Sequence, residues 1–201
     1  MDPGLIGKMR AGEETAYREV VDLHERGLFN FILRYVGDRV AAEDLVQDTF
    51  VRMLRAIESY RPEASFKTWL YTIARNLCLD HHKYRRRHPA ASLDAAAGDA
   101  DGEGRILYFS EVLRAGGPDP SERAAEAESL VLLRQAVRRL DPLKREALLL
   151  RVYHGMSYEE AGAVAGSPTG TMKFRVHEAV RELGEMLSEA KGESKQNVGG
   201  E

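Results

Sequence analysis

The sequence predicts an all-α protein made of two small helical domains joined by a flexible acidic linker. Apolar residues recur at three- and four-residue spacings along most of the chain, which is typical of amphipathic helices, and no convincing alternating strand is present. Residues 89 to about 120, rich in Ala, Gly and Asp, interrupt this pattern and end in a Gly-Gly-Pro-Asp-Pro turn. A length of 201 residues is sufficient for two such domains.

The first domain, residues 1–88, is predicted as a bundle of three or four helices. Apolar positions from Tyr17 to Tyr35 indicate one amphipathic helix or a bent pair. Gly37 ends this segment, and Asp38 is placed to cap the next helix. The apolar face of that next helix is predicted to comprise Val46, Phe50, Met53, Leu54 and Ile57.

A loop and a long basic helix complete the first domain. Tyr60 to Ala64 contains Pro62, and proline disfavours helix in the residue before it, so this stretch is predicted as a loop. Ser65 can cap a helix running from Phe66 to about Arg87, just before Pro89. The linker, residues 89–124, contains an apolar patch, Ile106 to Leu113, which is expected to dock on one of the domains or on a partner.

The second domain, residues 125–187, is predicted to contain a helix-turn-helix. Asp141-Pro142 starts a helix that reaches Tyr153, and the next three residues, His154 to Met156, form a turn. Ser157 and Glu160 have capping-box spacing and start a short helix that Gly166 ends. The last helix is expected to bury Met172, Val176, Ala179, Val180, Leu183 and Leu187, and residues 188–201 are predicted as a disordered tail.

Composition and charge restrict the function classes. No apolar stretch approaches the roughly 20 residues that span a bilayer, and a signal-peptide core is lacking, so a cytoplasmic protein is expected. The single cysteine, Cys78, excludes an internal disulfide and a cysteine-based metal cluster. The net charge of −3 conceals two basic blocks, residues 67–88 at +5 and residues 134–181 at +4, separated by residues 89–133 at −6. Each basic block is a candidate site for a polyanion, because local charge sets the field that a phosphate backbone meets.

Both basic blocks carry residue types that bind nucleic acid. In the last helix, threonines near the N-terminus and cations further along can contact phosphates or guanine edges of duplex DNA. In the first block, aromatic residues beside cations can stack on unpaired bases, as single-stranded DNA requires. Each nucleic-acid interpretation has a purely structural alternative. Any three-helix bundle can have a sequence pattern similar to that of a helix-turn-helix, and Trp69 can simply be a core residue.

Five stretches together resemble the extracytoplasmic-function (ECF) sigma factors. Asp44 to Phe50 (DLVQDTF), Phe66 to Asn76 (FKTWLYTIARN) and the basic run after it are similar to region 2 of this family. Leu148 to Ala161 (LLLRVYHGMSYEEA), followed by Gly170 to His177 (GTMKFRVH), is similar to region 4. The two motifs stand in the family's order and are joined by a linker with no third domain.

The resemblance implies a non-enzymatic factor, without metal or cofactor, that binds core RNA polymerase and directs promoter-specific initiation. It implies docking on the clamp helices of the largest subunit through Asp44, Gln47, Asp48 and Arg52. Melting and reading of the −10 element would use Arg61, Ser65, Lys67, Trp69, Arg75, Asn76, Lys83 and Arg86. Reading of the −35 element would use Thr169, Thr171, Lys173, Phe174, Arg175, His177, Glu178 and Arg181. The flap of the second-largest subunit and an anti-sigma factor are the further partners implied.

The sequence departs from the family in the last helix. Glu178 replaces a usual cation, and Phe174 stands where a small polar residue is common. A carboxylate at that place repels phosphate but can accept a hydrogen bond from cytosine N4. The −35 sequence is therefore unusual, or this domain binds DNA weakly and depends on a partner.

Three alternatives remain open at this point. Asp80-His81-His82 spells the DHH signature of a phosphoesterase family, although adjacent histidines on a helix point about 100° apart and chelate a metal poorly. A stand-alone helix-turn-helix regulator would bind duplex DNA without polymerase. A sigma-like decoy would sequester an anti-sigma protein without directing transcription, a reading that Glu178 keeps open.

Overall fold

The computed structural model describes residues 3–88, 129, 131–133 and 135–197, and the regular elements in these ranges are all helical, with no strand. The all-α prediction is therefore confirmed for the described chain. The predicted linker, residues 89–124, lies outside the described ranges, and so does its patch, Ile106 to Leu113.

Four α-helices and one 3₁₀ turn form the amino-terminal part. Their bounds are α1 Pro3–Arg10, α2 Glu14–Val36, α3 Arg39–Ala56, the 3₁₀ turn Ile57–Ser59, and α4 Phe66–Arg87. The segment from Tyr17 to Tyr35 is thus one helix rather than a bent pair. The predicted limits of α4 are confirmed.

Predicted capping residues set the ends of these helices. Gly37 ends α2 with φ 76°, in the left-handed region that favours glycine, and its N–H donates to the carbonyl of Leu33. The Asp38 side chain accepts from the Ala41 N–H at 3.1 Å and so caps α3. The Ser65 hydroxyl accepts from the Thr68 N–H at 3.2 Å and caps α4. A side-chain cap of this kind is worth about 1 kcal/mol.

Three of these helices share one apolar core. Val20, Leu28, Phe31 and Ile32 from α2, Met53 from α3 and Leu70 from α4 are fully buried. Each such side chain contributes about 1.5–3 kcal/mol relative to an exposed position. Helix α3 packs one face against this core, and its opposite, polar face lies in solvent.

The carboxy-terminal part contains three further α-helices. They are α5 Pro142–Leu148, α6 Tyr158–Ala165 and α7 Thr169–Asn197, and a π-helical turn, Leu149–Tyr153, follows α5 directly. Residues 131–133 and 135–139 are also helical. The capping box of Ser157 and Glu160 is present in both directions, and Gly166 ends α6 with φ 59°, as predicted.

Packing divides the chain into two compact units that do not follow the predicted domain boundaries. Residues Leu149–Met172 pack with the amino-terminal helices in the first unit, whereas α5 and α7 from Lys173 onwards belong to the second. The core of the second unit consists of Ala136, Leu140, Ala179 and Leu183. Lys144 and Glu182 form a half-buried ion pair in this unit.

Four predictions of detail are corrected by the structure. Leu54 and Val180, predicted to face inwards, are exposed. The helix predicted to reach Tyr153 is α-helical only to Leu148, because its last five residues adopt π geometry. Helix α7 continues to Asn197, whereas disorder was predicted from residue 188, and hydrogen bonds such as that from the Ser188 hydroxyl to the Gly184 carbonyl follow its helical spacing.

Candidate functional site

The first candidate surface is the solvent face of α3. Asp44, Gln47, Asp48 and Arg52, the residues predicted to bind the polymerase, are all exposed and recur at helical spacing along this face. Val51 and Leu54 lie among them and are each 41% exposed. The surface therefore combines charged and apolar groups on one rigid helix.

The second candidate surface begins with an aromatic cluster at the start of α4. The ring centroid of Trp69 lies 4.9 Å from that of Tyr60 and 5.5 Å from that of Phe66. Tyr60 and Phe66 are buried, whereas Trp69 is only half-buried. The two interpretations of Trp69, as a core residue and as a stacking surface for bases, are therefore compatible, because its ring packs on the core and is also partly exposed to solvent.

Trp69 starts a stripe of side chains along α4. Asn76 and Lys83 follow it at intervals of seven residues, which places all three on one face of the helix. Asn76 and Lys83 are exposed, and the Lys83 ammonium lies 3.6 Å from the Asp80 carboxylate. Arg86 is exposed and Arg75 is half-buried further round the helix.

The loop before α4 is fixed by its own hydrogen bonds. The Arg61 guanidinium donates to the Glu58 carbonyl at 3.0 Å, and the Tyr60 hydroxyl donates to the Ala64 carbonyl at 2.9 Å. The guanidinium of Arg10 in α1 donates to the Tyr60 carbonyl at 2.6 Å. An open cavity of about 510 Å³ lies beside this loop, and burial raises the pKa of the Tyr60 phenol.

Ser65, which is exposed, and Lys67, which is half-buried, are two further residues of the predicted −10 set, and both contact the segment 149–165. The Ser65 hydroxyl donates to Oε1 of Glu160 at 3.0 Å. The Lys67 ammonium donates to the carbonyl of His154 at 2.6 Å. The predicted −10 residues are therefore divided between those along the stripe on α4 and those that contact the segment 149–165.

His154 lies at the centre of that covered face. Its Nδ1 is 3.1 Å from the Tyr71 hydroxyl, and its ring meets the Phe31 ring edge-on at 5.6 Å. Burial, with smaller contributions from Lys67 and Arg34, lowers the pKa of His154 to about 3. The imidazole is therefore neutral at physiological pH.

Two neighbouring contacts hold the same segment. The Arg34 guanidinium of α2 lies 3.8 Å from the ring centroid of Tyr153, in a cation–π geometry. The Glu160 carboxylate accepts from the Ser157 N–H at 2.9 Å while it also accepts from Ser65. The hydrogen bond from Ser157, followed by that from Ser65, lowers the pKa of Glu160.

The third candidate surface is the amino-terminal half of α7. Of the residues predicted to read the −35 element, Lys173, His177, Arg181 and Phe174 are exposed, the last to 63%. The half-buried members of this set are Thr169, Thr171, Arg175 and Glu178. Met172, Val176 and Ala179 are buried on one side of the helix, and the four exposed members of the predicted set share the outer face opposite them.

Glu178 and Arg181 are engaged with each other on this face. Arg181 donates to both oxygens of Glu178, at 3.3 and 2.8 Å, and to Oε1 of Glu185 at 2.7 Å. The hydrogen bond from Arg181 lowers the pKa of Glu178, and the two carboxylates raise the pKa of Arg181. Arg181 therefore stays protonated and is paired with two carboxylates of its own helix.

Sequence reasoning did not identify Tyr153, His154 and Glu160 as functional. Glu160 was recognised only as a capping residue, and the turn at His154 gave no sign of its distant partners. In the described ranges, no group of three metal-ligating side chains occurs, and the rings of His81 and His82 lie 6.2 Å apart. No helix within those ranges is both long and apolar enough to cross a bilayer.

Comparison with known families identifies both halves of the chain. Sigma-70 region 2 matches residues 20–88, and Sigma-70 region 4 matches residues 130–183. The first match covers most of α2 with α3 and α4, and the second runs from the helical residues after the linker into α7.

Individual proteins give the same result. The ECF RNA polymerase sigma factor BldN of Streptomyces coelicolor is 34% identical over 91% of this chain, which spans 64% of BldN's length. The RNA polymerase sigma-H factor of Pseudomonas aeruginosa is 31% identical over 94% of this chain and 97% of its own length. A co-crystal structure of the sigma factor RpoE with the anti-sigma factor NepR from Bartonella quintana matches with a TM-score of 0.57 and 26% identity, over 86% of this chain and 96% of that one.

Sigma factors are regulators of transcription rather than enzymes, and regions 2 and 4 fit promoter recognition and transcription initiation with RNA polymerase. Both regions are present here in that order, on helices with exposed polar and basic faces. The chain belongs to the ECF RNA polymerase sigma factors.

Proposed function

We propose that this sigma factor divides its work among the three helical surfaces, with α3 binding the polymerase, α4 melting and reading the −10 element, and α7 reading the −35 element. The observation that carries this division is that the region 2 match includes α3 and α4, that the region 4 match includes the first half of α7, and that the exposed face of each helix has the residue types its task needs. The factor acts by binding alone, without a catalytic residue of its own.

Helix α3 docks on the clamp helices of the largest polymerase subunit. Asp44, Gln47, Asp48 and Arg52 supply charged and hydrogen-bonding groups, and the partly exposed Leu54 supplies apolar area. Stable interfaces combine an apolar centre with a polar rim, and the mixed composition of this face fits that pattern. Complementary charges on the polymerase would fix the register of the contact.

Helix α4 contributes the chemistry of strand separation. A base that leaves the duplex loses stacking and pairing worth a few kcal/mol, and an aromatic face can replace part of that loss. The half-buried Trp69 offers such a face, and Asn76 and Lys83 continue in line with it. Arg75 and Arg86 lie beside this line and supply charge for the phosphate backbone, while Arg61 precedes it in the loop.

Helix α7 reads duplex DNA in the major groove. Lys173, Arg175 and His177 supply donors for phosphates and base edges, and Phe174 supplies an apolar contact for a thymine methyl group. Thr169 and Thr171 stand at the helix start, where backbone N–H groups favour phosphate. The pairing of Arg181 with Glu178 reduces the positive field of this surface and favours a weak −35 interaction.

Two further partners complete the proposal. The flap of the second-largest polymerase subunit is the site for region 4. An anti-sigma factor is the regulator that binds this chain when transcription is to be prevented, as the co-crystal of RpoE with NepR suggests by relationship.

The test is transcription in vitro with core RNA polymerase on a library of genomic promoter fragments. The full chain should direct start sites that core enzyme alone does not use. Asp48→Arg should reduce initiation and polymerase binding together, whereas Glu25→Arg, the same charge change on the exposed face of α2, should leave both unchanged. Absence of any start site with the folded chain would exclude the proposal, and sequence-specific duplex binding without polymerase would favour a stand-alone regulator.

A further inference from the structure

One face of α4 is covered by the chain itself. The covering segment, residues 149–165, lies in the same compact unit as α4. It forms hydrogen bonds with several polar side chains at the start of α4. Two of these groups, the Ser65 hydroxyl and the Lys67 ammonium, belong to the set expected to contact −10 DNA. Their partners are the Glu160 carboxylate at 3.0 Å and the His154 carbonyl at 2.6 Å.

The contact between α4 and the covering segment has the character of a protein interior. Tyr71 is 2% exposed and His154 is 8% exposed. Their polar atoms face each other at 3.1 Å, and the rings pack at 4.9 Å between centroids. Buried polar atoms that lose their partners are costly to leave unsatisfied, so this contact is not an incidental touch of two surfaces.

The Glu160 carboxylate, which contacts the covered face, is chemically similar to the DNA phosphate that it would exclude. One Glu160 oxygen accepts from the Ser65 hydroxyl at 3.0 Å and from the Thr68 hydroxyl at 3.5 Å, close to the Lys67 cation. A DNA phosphate would present the same chemistry, an anionic oxygen that accepts from hydroxyl and ammonium donors. The other Glu160 oxygen is held by the Ser157 N–H, so the carboxylate is already oriented toward α4.

From these contacts we infer that the α4 face of Ser65, Lys67, Thr68 and Tyr71 is an internal docking surface for residues 149–165, and that this segment competes with −10 DNA for Ser65 and Lys67. The inference rests on the proposed role of α4 in DNA binding. With the segment docked, the stripe of Trp69, Asn76 and Lys83 and the neighbouring Arg86 stay accessible to DNA, whereas the polar groups of Ser65 and Lys67 are engaged. Full engagement of a −10 strand requires that the segment leave.

The test measures binding of the full chain to a fluorescein-labelled single-stranded DNA 20-mer of random sequence, followed by anisotropy. Glu160→Gln removes the charge from the docked carboxylate but retains the capping box, because glutamine also serves at that capping position. We expect binding to strengthen by roughly two- to fivefold, the range for loss of one partly exposed charged contact. Glu159→Gln, on the neighbouring exposed carboxylate, is the matched control and should bind as the parent does.

A second variant acts on the contact at a different point. Tyr153→Leu removes the ring on which the Arg34 guanidinium packs at 3.8 Å and alters no residue of the predicted DNA-binding set. It should also strengthen binding of the 20-mer, and circular dichroism should show the helical content of the parent. Agreement between two variants with separate contacts would exclude a local effect of Glu160 on helix α6.

The results separate the inference from the function on which it rests. If the parent chain initiates transcription with core polymerase but Glu160→Gln and Tyr153→Leu bind the 20-mer no better than Glu159→Gln, the docking inference is overturned and the function stands. Weaker binding by the two variants would also overturn it, because Glu160 would then assist DNA. If the parent chain directs no start site at all, the proposed function fails whatever the binding results are.

Discussion

Replacing Gly27 by alanine, with and without Tyr71→Phe, tests how α2 packs against α4 and against the covering segment. A Cβ added at Gly27 would lie 2.7 Å from the Tyr71 hydroxyl oxygen, closer than real Cβ contacts, whereas Cζ of the same ring would be 4.0 Å away. Only the hydroxyl is therefore in the way. Because that hydroxyl also faces Nδ1 of His154 at 3.1 Å, it cannot move without weakening this hydrogen bond.

The sign of the effect follows from two opposed magnitudes. Gly27 lies in the middle of α2, where alanine is more favourable than glycine by about 0.5–1 kcal/mol. Loss of the buried hydrogen bond between Tyr71 and His154 costs about 1–3 kcal/mol. We therefore expect Gly27→Ala to destabilise the parent chain by about 1 kcal/mol. In a Tyr71→Phe background the obstacle is absent, and the same substitution should stabilise by about 0.5–1 kcal/mol.

The assay is urea unfolding of the four proteins of the cycle, followed by tryptophan fluorescence. Trp69 is the single tryptophan of the sequence and lies in α4, so its signal reports on the unit that contains Gly27. A midpoint that shifts at constant slope gives the change in the free energy of unfolding. If Gly27→Ala shifts stability in the same direction in both backgrounds, the placement of the Tyr71 hydroxyl against α2 is wrong.

Three further predictions concern the cap, the histidine and the acidic residue of α7. Ser157→Ala should lower the stability of the first unit by about 1 kcal/mol in urea unfolding, because it removes the side-chain half of the capping box. Lowering the pH from 7.5 to 5.5 should weaken the docking of residues 149–165 by about 1.4 kcal/mol. The imidazole of His154 has its ordinary pKa when the segment is released and therefore takes up a proton in this range. In the docked state its pKa is about 3, so it stays neutral. The loss should begin near pH 6.5 and grow as the pH falls toward 3, and an NMR titration of the His154 ring checks it, since a ring that protonates near pH 6.5 in the docked protein would contradict it. Glu178→Arg should free Arg181 and add a cation, so that binding of the holoenzyme to promoter DNA becomes more salt-dependent by about one unit of slope per new phosphate contact, and an unchanged slope would place residue 178 away from DNA.

Features specified by neighbouring residues were predicted correctly from the sequence. Asp38, Ser65 and the pair Ser157 and Glu160 act as caps because each needs only a backbone N–H three residues away in the chain. Leu54 was assigned to the wrong face, because periodicity gives the direction of an apolar stripe but not its width, and this residue lies at the edge of the α3 stripe. The roles of individual residues in binding polymerase and DNA stay predictions, since they derive from the family resemblance.

The covered face of α4 could not be predicted because its polar groups form hydrogen bonds with neighbouring residues and with distant residues at the same time. The Ser65 hydroxyl accepts from the Thr68 N–H, as its position predicts, and its proton is then available to Glu160. The Glu160 carboxylate uses one oxygen for the capping box and has the other free for α4. A capping motif in a sequence thus accounts for only part of the hydrogen-bonding capacity of its residues, and the remainder becomes visible only when the chain is folded. For Lys67 the family resemblance implies a contact to DNA, yet the folded chain gives its ammonium a carbonyl partner, which DNA would have to displace if the inferred competition holds.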